Sequence, residues 1–363
     1  MVKSVEESRA SGSPLWEHRG VSTSPGMEFL VIGAQKAGTT TLWNLLRDHP
    51  QLWFPDAKEA PFFSHTEVYE RGWTDYMRRL RVPVGEGVLR GTITPHYMHG
   101  WHDAGTRVVA ERISKLLPEV RILALLRDPV ERARSQHAMA VARGLERRDV
   151  DRAMGESLRP HALRQARHAP KDTNTYVVQG EYGRILGEYL SFFPRAALHV
   201  ELSASLSTDP QGLVRRVLAF LGASDDFVPA APWQRSFAGG REPRARDEEI
   251  TRLLRSIDAL RGEDREAAQL AAARTWVAEH GVDARGREEF EQILDRYLSA
   301  PPKRSHGERV SLEFTLRKVW NVVPSPPAPI SDEVRSALAE HFAADAATLS
   351  ALTGLTVPSR GPG

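Results

Sequence analysis

The stretch EFLVIGAQKAGTTTL, residues 28–42, constrains the fold more than any other part of the chain. A short apolar run ends in Gly33, and a second glycine follows at Gly38. Leu42, Leu45 and Leu46 then fall on one helical face, with Pro50 just past the end. An apolar run that stops at a glycine loop and opens a helix reads as a buried parallel strand. Such a loop directs backbone N–H groups at one point, and the helix dipole adds positive potential there, so a phosphate-like anion would be held. Thr39 and Thr40 add hydroxyl donors at the first helical turn. Both glycines fit the pattern G-x-x-x-x-G-K-[ST], but Thr39 stands where that pattern has its lysine, and the lysine, Lys36, lies inside the loop.

Only seven of the 49 basic residues are lysines, so a lysine in a glycine loop is informative where a lone arginine is not. At the loop's crest Lys36 is placed to reach a bridging oxygen and to stabilise charge building on a leaving group. A nucleotide triphosphatase also needs a carboxylate for magnesium. The next strong apolar run, RILALLRD, ends in Arg127 before it reaches Asp128, which does not read as that carboxylate.

Around the loop, strands alternate with helices. Strands are expected at 28–33, 87–94, 120–129 and 197–202. Helices are expected from 39 to Pro50, at 107–119 with Val108, Ile113 and Leu116 or Leu117 inward, at 129–144, at 181–194 and at 209–222. A last helix at 331–352 starts at Ser331, a suitable N-cap, with acids in its first turn. This alternation predicts an α/β fold: a P-loop-type three-layer sandwich with a central parallel sheet. After Pro243 the texture changes to two amphipathic helical patterns with charges of both signs, followed by a Pro-rich stretch. Three regions are expected: a flexible polar extension at 1–25, a main domain formed by 26–243 and 325–363, and a helical insertion at 244–324 serving as a lid, a dimer element or a simple hairpin.

Net charge is +2, so no global field favours nucleic acid or membrane. The absence of cysteine excludes disulfides, thiolate metal sites and a cysteine nucleophile, and fits a reducing compartment. Residues 1–25 lack the apolar stretch of a signal peptide, and runs such as ILALL are far too short to span a bilayer. A soluble cytoplasmic protein is expected.

Three motifs together resemble a family. GAQKAGTTTL resembles the 5′-phosphosulfate-binding loop of sulfotransferases that use 3′-phosphoadenosine 5′-phosphosulfate (PAPS). ILALLRDPVERARSQ resembles their 3′-phosphate site, an Arg ending a strand with a Ser eight residues on. KEAPFF, residues 58–63, resembles the KE-x-x-FF stretch of heparan-type carbohydrate sulfotransferases, here in a soluble bacterial form, and TPHYM, residues 94–98, resembles the strand-end motif that follows it. The resemblance covers 28–243 and the last helix. It implies that Gly33, Gln35, Lys36, Ala37, Gly38, Thr39 and Thr40 cradle the 5′-phosphosulfate, that Arg127 and Ser135 hold the 3′-phosphate, and that Glu59 is the base. Lys58 is left to neutralise the transferring group or to orient Glu59. Arg241, in a loosely matched Gly-Arg run before Pro243, is the weakest member of the cofactor set. PAPS is the implied co-substrate and no metal is implied.

The chain departs from the family at Thr92-Ile93-Thr94-Pro95, where many relatives carry an acid or lysine just before the Thr-Pro step. His96, His99 and His102 recur every three residues, which invites a metal reading. The glycine among them suggests a loop rather than a shared helical face, and His96, following a strand end, is instead the alternative base. The acceptor is expected to be a glycan or small-molecule hydroxyl. Two rivals stay open: a P-loop kinase or NTPase, and a non-catalytic anion- or glycan-binding module. The stripes of the insertion leave a homodimer open.

Overall fold

The protein is described from a computed structural model covering residues 26–83, 87–142, 145–229 and 328–357, with single positions at 271, 274, 275 and 278. The expected extension at 1–25, almost all of the insertion at 244–324, and Arg241 lie outside the described residues. Strand β1 (Phe29–Gly33) leads through a short loop into α1 (Thr39–Leu46). There follow β2 (Leu52–Trp53), α2 (Thr66–Tyr69), α3 (Trp73–Leu80), β3 (Leu89–Ile93), α4 (His96–His99), the short antiparallel pair β4 (Gly100–Trp101) and β5 (Ala104–Gly105), and α5 (Thr106–Leu116). The second half runs β6 (Arg121–Leu126), α6 (Pro129–Ala142), α7 (Val150–Ser157), α8 (Pro160–His168), α9 (Tyr182–Leu190), β7 (Leu198–Leu202), α10 (Ser205–Thr208) and α11 (Pro210–Leu221), with α12 (Asp332–Thr353) last.

The main sheet has five parallel strands in the order β2-β3-β1-β6-β7. All of β1 and every residue of β6 after Arg121 are buried, as expected for central strands covered on both faces. The register sets Leu30 beside Thr92 and Ile122, and Ile122 beside Leu198. The carboxyl ends of β1, β3 and β6 therefore meet at one edge of the sheet, which is where a doubly wound fold places a ligand.

One hydrophobic core fills both faces of the sheet, and a second smaller one joins α6, α7 and α8 to Tyr176, Val177 and α12. Helices α3, α7 and α8 were not expected from the sequence. Each has eight or nine residues and buries only one or two large side chains, too few to register as a helical stripe. Local chemistry starts two of them: Asp149 caps α7 by accepting from Arg152 N–H, and Pro160 opens α8. In α5 the expected inward Val108 is exposed. The expected Ile113 and Leu117 are buried, and the buried face runs through Thr106, Val109, Ala110 and Ile113. The other element assignments hold to within a few residues at each end.

Helix α12 is capped by Ser331, whose side chain accepts from Val334 N–H, and buries Leu338, Phe342 and Leu349. It packs on α9, where Asp345 accepts from the N–H groups of Gly183 and Arg184, two donors without an intrahelical partner. Beside them Glu181, almost fully buried, bonds Arg167, Arg184 and His341. Burial pushes the Glu181 carboxyl up, but His341 and the two arginines outweigh it and hold it down at about 2.

A carboxyl depressed on folding contributes stability that is complete above its unfolded-state pKa, roughly 4.3, and is lost as pH falls through its folded value. Glu181→Gln is therefore expected to cost about 2–3 kcal/mol at pH 7, and to flatten the loss of stability between pH 5 and 2. Asp345, whose carboxyl is lifted by burial and also by the Glu181 charge, titrates in the opposite sense, so the substitution reads Glu181 together with its effect on Asp345. Denaturant unfolding of both proteins at pH 7, 4 and 3 checks this; parallel acid profiles would refute it.

Candidate active site

The loop from Ala34 to Gly38 is tied to the sheet by Ala34 N–H, which donates to the carbonyl of Leu125 on β6 (2.8 Å), and it turns on a bond from Ala37 N–H to Ala34 O (3.2 Å). Two residues take the left-handed conformation: Gly38 at φ +99° and Lys36 at φ +67°. A Cβ on Gly38 would also run into the side chain of Leu206 on α10, so only glycine fits there. Gly33 is crowded in another way, since a Cβ there would sit 2.8 Å from that of Met98 on α4. The first-turn amides of α1 have no intrahelical acceptor and open on this loop. Thr39 is buried and Thr40 half-buried at the same turn.

The KEAPFF motif is brought against the glycine loop. Lys58 Nζ donates to Thr39 Oγ1 (3.2 Å) and to Glu59 Oε1 (3.0 Å), so one ammonium joins the loop hydroxyl to the candidate base. The Lys58 side chain is 16% exposed and that of Glu59 45%. The stretch is held from behind by the strand-end motif. Thr94 N–H donates to Val31 O (2.9 Å), and Thr94 Oγ1 accepts from Ala60 N–H (3.3 Å). The Ala60 carbonyl accepts from the hydroxyls of Tyr76 (2.6 Å) and Tyr97 (3.0 Å), and Tyr97 Oη accepts in turn from Phe62 N–H (3.0 Å). Burial raises both phenols, Tyr97 to about 12, so both remain donors at any physiological pH. Phe62 and Phe63 anchor the stretch by packing among Tyr69, Trp73, Tyr76 and Tyr97. Sequence reasoning assigned no part to either tyrosine. Tyr97 lay inside the quoted TPHYM motif, while Tyr76 sits in a helix with no recognised signal.

The histidine run is not the loop the sequence suggested. His96 and His99 fall on the single turn α4, whereas His102 lies beyond it in the β4–β5 hairpin. The three therefore share no helical face. His96 lies against the Trp101 ring (4.8 Å between centroids, 18° between planes) and near His65 (5.7 Å). Burial, then the neighbouring His96 and His102, lower the His65 imidazole to about 4, and burial takes His99 well below its usual range. Both are neutral rings at pH 7.

At the end of β6, Arg127 Nη1 donates to the carbonyl of Lys36 (3.1 Å), which places the strand-end arginine motif in contact with the glycine loop. The Asp128 carboxylate caps α6, its Oδ1 accepting from the N–H groups of Val130 (2.8 Å) and Glu131 (3.0 Å). Ser135 is half-buried on α6, a little over two turns beyond the strand end. Thus Gly33–Thr40, Lys58, Glu59 and Arg127 form one connected group at the sheet edge, with His96 on the neighbouring strand end and Ser135 on the helix that leaves it.

A glycine loop at the end of a central parallel strand, opening a helix and faced by a Lys–Glu pair, has the layout of an anion cradle in an α/β sandwich. No family model matches the chain. Among known proteins it is 32% identical over 222 residues to the human heparan sulfate glucosamine 3-O-sulfotransferase 6, covering 60% of this chain and 58% of that one. It is 29% identical over 206 residues to the human bifunctional heparan sulfate N-deacetylase/N-sulfotransferase 3, covering 54% of this chain and 22% of the relative. A solved sulfotransferase from Alicyclobacillus acidocaldarius matches with a TM-score of 0.49 and 28% identity, covering 68% of this chain and 96% of that one. The chain thus spans less than two thirds of the length of these curated relatives. The resemblance to sulfotransferases read from the motifs is borne out by these sequence relatives.

The Lys58 bridge generates a direct test. The Glu59 end of the pair is exposed and adds little to stability, so Lys58→Ala is expected to move the melting temperature by only a few degrees, roughly 2–4 °C. If the bridge positions Glu59, turnover should fall about tenfold or more. A large drop in melting temperature with unchanged turnover would make Lys58 a purely structural residue.

Proposed function

We propose that the chain is a sulfotransferase that moves the sulfuryl group of PAPS to an acceptor hydroxyl and releases 3′,5′-ADP. The observation that carries this reading is the single ammonium of Lys58 shared by Thr39 of the anion loop and by Glu59. It puts a carboxylate able to accept a proton beside the place where a transferring group would be held. In this reading Glu59 takes the acceptor proton as the acceptor oxygen bonds to sulfur. The bond from sulfur to the 5′-phosphate oxygen breaks on the opposite side. Lys36, the loop amides and the Thr39 and Thr40 hydroxyls stabilise the negative charge left on that phosphate. Gln35 and Ala37 contribute to the cradle, and Arg127 with Ser135 binds the 3′-phosphate; Arg241 is a further cofactor contact in this scheme. His96 is the second choice of base, and its packing against the Trp101 ring favours Glu59.

A phosphoryl-transfer reading is disfavoured by the displaced lysine and by the use of Asp128 as a helix cap. The relatives named for heparan sulfate support a glycan or related hydroxyl as acceptor. The missing acid or lysine before Thr94 argues for an acceptor contacted differently from theirs. We place the reaction in the cytoplasm, with PAPS as co-substrate and no metal.

3′,5′-ADP is expected to raise the melting temperature well above the effect of 5′-ADP or of ATP with magnesium, because only the first fills the Arg127 end of the site. Binding stabilises by roughly 2.7 kcal/mol at a hundredfold excess over the dissociation constant. Equal shifts from the two ADP isomers would remove the 3′-phosphate assignment.

Turnover of PAPS against a panel of hydroxyl acceptors tests the chemistry. Lys36→Ala should cost on the order of a hundredfold in kcat, the loss typical of one donor aimed at developing charge. Glu59→Gln should keep 3′,5′-ADP binding and lose most turnover. Near-normal rates in Glu59→Gln with an inactive His96→Ala would transfer the role of base to His96.

A further inference from the structure

The loop crest is held in a conformation that its own residue disfavours. Lys36 has a side chain and sits at φ +67°, a left-handed geometry that costs a non-glycine residue about 1–2 kcal/mol. Such a geometry persists only where the surroundings over-determine it. A side chain from outside the loop that bonds the Lys36 carbonyl is Arg127, through Nη1 at 3.1 Å. Arg127 is itself held from behind: the hydroxyl of Tyr182 donates to the Arg127 carbonyl at 2.8 Å. Tyr182 is the first residue of α9 and is almost fully buried. The start of α9 is in turn fixed by the Glu181 cluster and by the Asp345 carboxylate on α12. A line of hydrogen bonds therefore runs from a rigid helix start, through Tyr182 and Arg127, to the backbone of the loop lysine.

We propose that Arg127 acts as a strut for the loop crest as well as an anion contact, and that Tyr182 is a positioning residue acting through it. This rests on the sulfotransferase reading for its kinetic consequence but not for its structural one. A guanidinium has five N–H donors in a rigid plane, and the bond to Lys36 uses one of them. An anion on the same fork and the Lys36 carbonyl are then read by one planar group. The nucleotide's 3′-phosphate and the placement of Lys36 against the leaving phosphate are linked through it. Selection of the cofactor and stabilisation of the transition state would thus share a residue.

The experiment uses the full chain and two variants. Tyr182→Phe removes one hydroxyl from a buried ring and keeps its shape. Arg127→Lys keeps a positive charge at the corner but cannot span the carbonyl and an anion together. The first readout is hydrogen–deuterium exchange of the loop peptide containing residues 33–40. Exchange is expected to accelerate several-fold in both variants, with exchange in the central strands β1 and β6 unchanged. The second readout is steady-state turnover of PAPS. Tyr182→Phe is expected to lower kcat by about three- to tenfold, the worth of one neutral hydrogen bond, with KM for PAPS within twofold. Arg127→Lys should lower kcat more than it weakens 3′,5′-ADP binding.

Unchanged loop exchange in both variants overturns the strut. Accelerated exchange accompanied by a change in KM alone overturns its link to the chemical step. If the wild-type chain turns over no PAPS, the functional reading falls, and the exchange measurement still decides whether Tyr182 and Arg127 hold the crest.

Discussion

Between Gly33 and Thr39 the chain must leave a strand buried on both faces and enter a helix within five residues. It does so with two left-handed residues and one bond to β6. The rest of the site is arranged around that turn. Gly38 takes a left-handed geometry under the Leu206 methyl of α10, and Gly33 is pressed by α4. The strand end of β3 hands its Thr94 both to β1 and to the Lys58–Glu59 stretch, and the strand end of β6 hands Arg127 to the crest. A parallel sheet makes this economical, because neighbouring strands present their carboxyl ends together and each contributes one anchor.

The chemistry-bearing motifs were legible before any coordinates because each depends on local spacing. A glycine loop between an apolar run and a helix, an arginine at a strand end and a Lys–Glu pair before two phenylalanines are all visible within a dozen residues. What joins them was not. Nothing in the sequence indicates that Lys58 reaches Thr39, nineteen residues away, or that the Ala60 carbonyl is shared by Tyr76 and Tyr97. These bonds are set by the order of strands in the sheet, which periodicity does not report. The same blindness explains the missed helices α7 and α8, whose few buried positions matter only because α6 and α12 lie beside them. In α5, Ile113 and Leu117 are inward as expected, but the face packed on the rest of the fold includes Val109 and Ala110 rather than Val108.

Buried charge in this chain falls into two kinds. Burial raises both Glu181 and Glu146, but His341, Arg167 and Arg184 around the first, and the Arg148 side chain, the N–H groups of Arg147 and Arg148 and the Tyr176 hydroxyl around the second, outweigh it and hold both carboxyls at about 2. Arg132 is different. It is fully buried, and its bonds run to Gln136, Gln179 and the carbonyl of Tyr176 rather than to a carboxylate. Burial lowers it to about 10, which still leaves it a cation at neutral pH. The first kind ties α8, α9 and α12 into one unit. The second places fixed positive charge behind the strand end that carries Arg127.

Helix α12 reaches back more than 160 residues to cap α9, since Asp345 accepts from Gly183 and Arg184. The carboxylate that completes the start of α9 is therefore made long after the strands, loop and motif residues of the sheet. During synthesis at some 5–20 residues per second, the span from 184 to 345 takes on the order of ten seconds or more to emerge. Throughout that interval the sheet can assemble while the first-turn amides of α9 lack this acceptor. Closure of a loop this long carries its entropic cost late in folding. The nascent chain can thus hold its anion loop, its arginine and its carboxylate in sequence order well before the start of α9 is fastened, and full rigidity of the site waits on the arrival of a helix that contributes none of its chemistry.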